Sequence, residues 1–227
     1  LHSHLTTLNA VSLVLTTFQD QGLASNVLLA GRGISLADLR HADTRITTCQ
    51  EMRVCANAVA LRQDIGLDLG QRMHVSSYGL LGYALLTSAT LGDALRLALR
   101  YPALLGTLFA LSLVEDGQQV WLTAGDYRED PALAAFNVEF CLVSLKVICD
   151  DLLGCALPLH EARFDYRAPV YQARYAERFD CPLRFDAPAN GFAFDQEWLA
   201  RPLPLADAIT HRAMAERCRK QNSEFTG

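Results

Sequence analysis

The chain has 227 residues, 51% hydrophobic and 20% charged, with a net charge of −5 and a pI near 5.7. These are globular values, with enough apolar side chain for a sizeable core. The acidic balance argues against binding nucleic acid alone, because neutralising phosphates needs a basic surface. The local basic crowding at His211-Arg212 and Arg217-Cys218-Arg219-Lys220 is too short to provide one.

In chain order, residues 8–18 carry apolar side chains at helical spacing, ending near Gly22. Gly31-Arg-Gly33-Ile-Ser-Leu36 lacks the third glycine of a dinucleotide fingerprint and has no βαβ unit around it. It reads as a turn before a short helix capped by Ser35-x-x-Asp38. A longer helix is predicted from Cys49 to Gln63, after which Gly66 and Gly70 punctuate a bend. Residues 75–92 hold no charge, but Ser76, Ser77, Thr87, Ser88 and Thr90 divide them, and Thr90 with Asp93 forms a capping box. Two short buried helices, 78–86 and 91–101, fit this stretch better than a membrane span, and Pro102 closes the second. Gly79-x-x-Gly82 in the first marks close packing of another element.

The character changes at Thr107. Residues 109–114 and 119–123 read as a hairpin around Asp116-Gly117, a dipeptide that favours a type I′ turn. Pro131 opens a helix to about Leu153 that is apolar on nearly every side. Its charges Glu139, Lys146 and Asp150 fall on one stripe, read as a single narrow open face. Asp150-Asp151 reads as a solvated helix end, since adjacent helical residues diverge by about 100°. Residues 160–166 alternate as a strand, with Phe164 and Tyr166 on one face, and 170–179 form a short amphipathic helix. A second hairpin is predicted from 183–186 and 192–195 around Asn190-Gly191. Pro202 and Pro204 precede a last helix, 205–221.

This order defines an α+β fold in one domain. A helical N-terminal half precedes a mostly antiparallel sheet of two hairpins plus one strand, packed on a long buried helix.

Chemistry-bearing motifs are sparse. Cys49, Cys55, Cys141, Cys149, Cys155, Cys181 and Cys218 are irregularly spaced and contain no CxxC pair, so they read as free thiols of a reducing cytoplasm. The histidines at 2, 4, 41, 74, 160 and 211 lie far apart; His2 and His4 could share a metal, but a terminus is a poor place for a rigid site. There is no HExxH, GxSxG or Walker loop. Neither enzymatic activity, nor a metal, nor a cofactor is expected; a haem sensor would need an axial ligand, and no histidine falls on the long helix. The N-terminus shows no positively charged segment ahead of an apolar core, so a soluble, cytoplasmic protein without membrane contact is expected.

Several stretches together resemble one family. They are Gly66-Leu-Asp-Leu-Gly70, the run from Val75 to Leu95, Arg100-Tyr101, and Arg163-Phe-Asp-Tyr-Arg-Ala-Pro169 with Tyr175 and Phe179. Cys181-Pro-Leu-Arg-Phe185, Asn190-Gly-Phe-Ala-Phe194 and the run from Leu199 to Asp207 follow. In consistent order, from about residue 8 to 215, these are similar to the N-terminal, arabinose-binding-type domain of bacterial AraC-family transcription regulators, in the group of the ornithine-utilisation regulators.

The resemblance implies a cytoplasmic regulator in which a small effector binds here and alters dimerisation or domain docking. Residues 1–204 would form the effector-binding and dimerisation domain. Residues 205–227 would form a terminal helix and the start of a linker to a helix-turn-helix domain absent from this chain. DNA would be contacted only through that absent domain, and a homodimer is expected.

The family supplies no shared ligand motif, so the pocket is expected between sheet and long helix, where concave, mostly apolar sites form. Tyr83, Tyr101, Trp121, Glu139, Phe140 and Lys146 are the candidate ligand-binding residues. A basic amino acid would place its amine on Glu139; a fatty or aromatic acid would place its carboxylate on Lys146 or an arginine. The alternative reading is a dimerisation module without a small-molecule ligand, its last helix joining partners.

Overall fold

The structure is a computed structural model and describes residues 5–7, 9–20, 22, 25–29 and 45–226. The glycine pair Gly31 and Gly33, the Ser35 cap, His2, His4 and His41 lie outside the described residues.

Strands β1 (Leu5–Thr7) and β2 (Arg45–Thr47) pair antiparallel around α1 (Asn9–Gln19) and α2 (Ser25–Leu29). Helix α3 (Thr48–Leu61) opens on a capping box that satisfies two end donors. Gln50 N donates to Thr47 Oγ1 at 3.2 Å, and Thr47 N donates to Gln50 Oε1 at 3.0 Å. Val11, Val14, Phe18, Leu28, Met52 and Val54 from these helices make a first, smaller core.

Gly66 and Gly70 do not form a bend: both lie inside α4 (Ile65–Gln71). A Cβ on Gly66 would stand 2.7 Å from Glu139 Oε2 and 2.8 Å from the Phe136 carbonyl, and one on Gly70 2.7 Å from Val143 Cβ. The glycines therefore let α4 press its backbone onto the long helix, which any side chain would hold away.

A 3₁₀ turn at Val75–Tyr78, then α5 (Gly79–Leu86) and α6 (Leu91–Arg100), divide the uncharged stretch as its polar residues predict. Close packing holds at Gly82, with the Val75 carbonyl 2.0 Å from where a Cβ would sit, but not at Gly79, where nothing lies within 4 Å. Thr90 caps α6, its Oγ1 accepting from Asp93 N at 3.2 Å. Thr90→Ala should lower stability by about 1 kcal/mol, read as a lower urea midpoint with unchanged slope.

Helix α7 (Pro102–Leu105) starts on its proline and ends at Gly106, whose φ of 65° is left-handed. The first hairpin is present as β3 (Ala110–Asp116) and β4 (Gln119–Gly125). Asp116 still pairs with Gln119, so the turn residues are Gly117-Gln118, one later than the sequence suggested. Of these only Gly117 has positive φ, which is the glycine-first, type II′ pattern rather than type I′.

After a 3₁₀ turn at Pro131–Leu133 comes α8 (Ala134–Leu153). By length and composition Pro131–Leu153 could cross a membrane, but 72% of that window is buried inside this fold. The charged stripe is not an open face either. Glu139 is 0% exposed and Lys146 is buried, covered by elements that follow.

Those elements are β5 (Glu161–Arg163), α9 (Ala173–Phe179), β6 (Leu183–Arg184), β7 (Asn190–Asp195), a 3₁₀ turn at Gln196–Ala200, and α10 (Ala208–Thr226). The sheet order is β3-β4-β7-β5-β6, antiparallel except for the β5–β6 pair. The second hairpin is thereby corrected: β6 and β7 are not neighbours, because β5 lies between them. Asn190-Gly191 is no exposed turn. Asn190 is buried and its Oδ1 accepts from Asp165 N at 2.8 Å, while Gly191 leaves room for the Leu122 carbonyl, 2.6 Å from a would-be Cβ. Phe192 and Phe194 of β7 and Val120 and Leu122 of β4 meet α8 in the main core.

Candidate functional site

Helix α8 has two working sides. Phe136, Asn137, Phe140, Cys141 and Ser144 face one way, toward the junction between the two cores, and they bound a cavity of about 380 Å³. Its other walls are Val14 of α1, Met52 and Cys55 of α3, Leu69 and Met73 at α4, and two loop segments. One segment runs through Ser76–Leu80 and the other through Ala103–Phe109. Gln221 of α10 also reaches the wall.

Specific bonds hold the first segment in place. Asp151, beyond the cavity, accepts from Val75 N at 2.9 Å and lies 3.0 Å from His74 Nδ1. Its neighbour Asp150 accepts from Leu157 N and from Lys146 Nζ, each at 2.7 Å. Neither carboxylate is a merely solvated helix end, as the sequence suggested; each secures a chain crossing.

Glu51 is the acid on the wall, whereas the thiols and the phenol beside it stay protonated. Burial pushes the Cys141 thiol up to about 12, against a hydrogen bond with Thr107. Burial likewise pushes the Cys55 thiol and the Tyr78 phenol far above their usual ranges, despite a hydrogen bond between Tyr78 and Ser144.

The opposite side of α8 carries a separate polar centre. Glu139 accepts from Tyr171 at 2.8 Å and from Tyr175, while its Oε2 has no partner. Burial raises its pKa to about 7, and the two phenols oppose that rise. Beside it, Asp64, just ahead of α4, and Asp68 of α4 meet Arg62, Arg174 and Arg178; Arg174 lies 2.6 Å and Arg178 2.8 Å from Asp68 Oδ1. Burial would raise both aspartates, but the guanidinium groups hold them below the usual carboxylate range. This network ties α9 to α4.

The six candidate residues do not converge on one site. Phe140 lines the cavity. Glu139, one residue away, points into the tyrosine centre. Lys146 is paired with Asp150. Trp121 lies under the Arg163 guanidinium, 3.9 Å from the ring centroid. Tyr101 stands in a groove against α10 with Thr87 and His211, and Tyr83 is 52% exposed on α5. The space between sheet and α8 is packed core rather than pocket.

Sequence reasoning passed over Asn137, Cys141, Ser144 and Tyr78. A signal existed: Asn137, Cys141 and Ser144 recur at helical spacing and are the neutral polar stripe of an otherwise apolar helix.

An α+β domain with a mostly apolar cavity beside its longest helix has the build of a small-molecule binding domain. The family model for the arabinose-binding domain of AraC transcription regulators, N-terminal, matches residues 22–203, and the chain belongs to that family. It is 35% identical over 170 residues to an ornithine utilization regulator of Pseudomonas aeruginosa, covering 74% of this chain and 50% of that protein. An HTH-type transcriptional regulator of Mycobacterium tuberculosis is 29% identical over 233 residues, covering 92% of this chain and 63% of that one. The chain thus spans between half and two thirds of the length of these relatives. Among solved structures, the transcriptional regulator CdpR from Pseudomonas aeruginosa superposes with a TM-score of 0.63 at 19% identity, over 96% of this chain and 65% of that one. It shares the fold.

Proposed function

We propose that this chain is the effector-sensing part of an AraC-type transcription regulator, and that the effector binds in the cavity against α8. The observation that supports it is a cavity of about 380 Å³ whose wall includes Gln221 of α10. Helix α10 packs on α5 and α7, so a ligand that moves Ser76–Leu80 or Ala103–Phe109 also shifts α10. In this reading residues 1–204 sense and residues 205–227 transmit, with DNA bound by a helix-turn-helix part beyond this chain. A homodimer and a cytoplasmic location belong to the same proposal.

The test is a thermal-shift panel of amino acids, fatty acids, aromatic acids and their uncharged counterparts. A ligand present at a hundred times its Kd adds about 2.7 kcal/mol to stability. That should raise Tm by roughly 5–10 °C in a chain of this size. Flat curves across a saturating panel would overturn the sensor reading. A fragment that sediments as a dimer, with no ligand response, would favour a dimerisation module instead.

A further inference from the structure

The amide of Asn137 restricts what the cavity can hold. Its nitrogen donates to the Leu133 carbonyl at 3.0 Å and to the Tyr127 hydroxyl at 2.9 Å, with Met52 Sδ at 3.8 Å. A carbonyl only accepts, so the Leu133 bond fixes which end of the amide is nitrogen. Both N–H groups are therefore engaged inside the protein. The oxygen takes no bond from a described residue, yet it is not among the sealed partnerless atoms, which belong to Thr17, Glu139 and Arg178. Asn137 is 4% exposed and lies on the cavity wall, which leaves its Oδ1 as an unused acceptor at that wall.

The described wall offers an anion hydroxyl and amide donors but no cation. Among the described residues no lysine, arginine or histidine lines the cavity. The acid on the wall, Glu51, is engaged with a partner of its own and adds no positive charge. A carboxylate placed here would lose its hydration without gaining a counter-charge. What the wall does offer is the stacked pair Phe136 and Phe140, with centroids 6.3 Å apart, and the thioethers of Met52 and Met73, which adapt to flat, polarizable surfaces.

We propose that the cavity takes an uncharged, mainly apolar, aromatic-sized molecule that donates one N–H or O–H to Asn137 Oδ1, and that it rejects carboxylates and zwitterions. This rests on the sensor reading above and narrows its ligand class. It also separates the chain from the effector that the name of its ornithine-related relative suggests.

The experiment is calorimetric titration of the 227-residue chain with indole, N-methylindole, indoleacetate and L-ornithine. Indole should bind, and N-methylindole, which keeps the shape but lacks the donor, should bind roughly ten-fold more weakly. Indoleacetate and ornithine should bind at least about a hundred-fold more weakly than indole. In Asn137→Leu the two indoles should bind alike; the comparison on the unaltered chain stands even if that variant does not fold. Tighter binding of either charged probe would overturn the ligand class and leave the sensor reading intact. Equal binding of the two indoles to the unaltered chain would overturn the role of Asn137. If no probe binds, the thermal-shift panel decides: an uncharged donor as its hit supports the inference, and an acid or zwitterion, or a flat panel, overturns it.

Discussion

Gly82→Ala should destabilise the protein by at least about 3 kcal/mol, at the upper end of what overpacking costs. The added Cβ would fall 2.0 Å from the Val75 carbonyl, which is backbone and cannot rotate aside. Alanine is the better helix former by about 1 kcal/mol, so propensity alone predicts the opposite sign. Steric exclusion at this distance outweighs it, and the 3₁₀ turn at Val75–Tyr78 must move or α5 must break. Because that turn leads into a cavity wall, any folded Gly82→Ala protein should also lose ligand-induced stabilisation. Gly125→Ala is the control: nothing lies within 4 Å of its Cβ position, and its effect should stay within about 0.5 kcal/mol. Urea melts of the two variants give the comparison, and equal midpoints would refute the argument.

The second large effect concerns pH. Glu139 is protonated more readily in the fold, with a pKa of about 7 against an ordinary 4.5. A raised carboxyl pKa means that the folded state binds the proton more tightly than the unfolded chain. Its stabilising effect is complete below pH 4.5 and is lost as pH rises to about 7. At about 1.36 kcal/mol for each pKa unit, the loss comes to about 3 kcal/mol. Glu139→Gln keeps an oxygen that accepts from Tyr171 and Tyr175 but cannot ionise. Its amide N–H takes the place of the partnerless Oε2, a cost that does not change with pH. The variant should therefore lack the downward slope between pH 4.5 and 7, whatever its absolute stability. Asp64 and Asp68 act in the other direction: their lowered pKa values lend stability that disappears only as the medium becomes more acidic than their ordinary 3.8. Their effect is common to both proteins and cancels in the difference. Parallel pH profiles for parent and variant would show that the carboxyl does not titrate as described.

What the sequence disclosed depended on whether a signal was local. The Thr90 cap, the split of the uncharged stretch and the first hairpin follow from residues within a few positions of one another, and all three are present. Glycine was ambiguous because its uses look alike in one dimension. Gly66 and Gly70 resembled a bend and serve a helix contact, and Gly191 resembled a turn and serves a strand crossing. Glu139 and Lys146 looked like a solvated stripe because charge usually marks the surface. Here Tyr171 and Tyr175, more than thirty positions later, bury the first, and Asp150 pairs the second. The cavity was the least legible feature. Its wall is assembled from α1, α3, α4, α5, α7, α8, α10 and β3, and no periodicity within one element reports a void between eight.

The place of β7 in the sheet has a consequence for how the chain is made. It is the last strand in sequence but lies near the middle, between β4 and β5. Until residues 190–195 leave the ribosome, the β3–β4 hairpin and the β5–β6 pair are two separate ribbons, each with an unpaired inner edge. Such edges readily accept strands from other molecules. The sheet of the nascent protein therefore stays divided until this six-residue segment joins the halves.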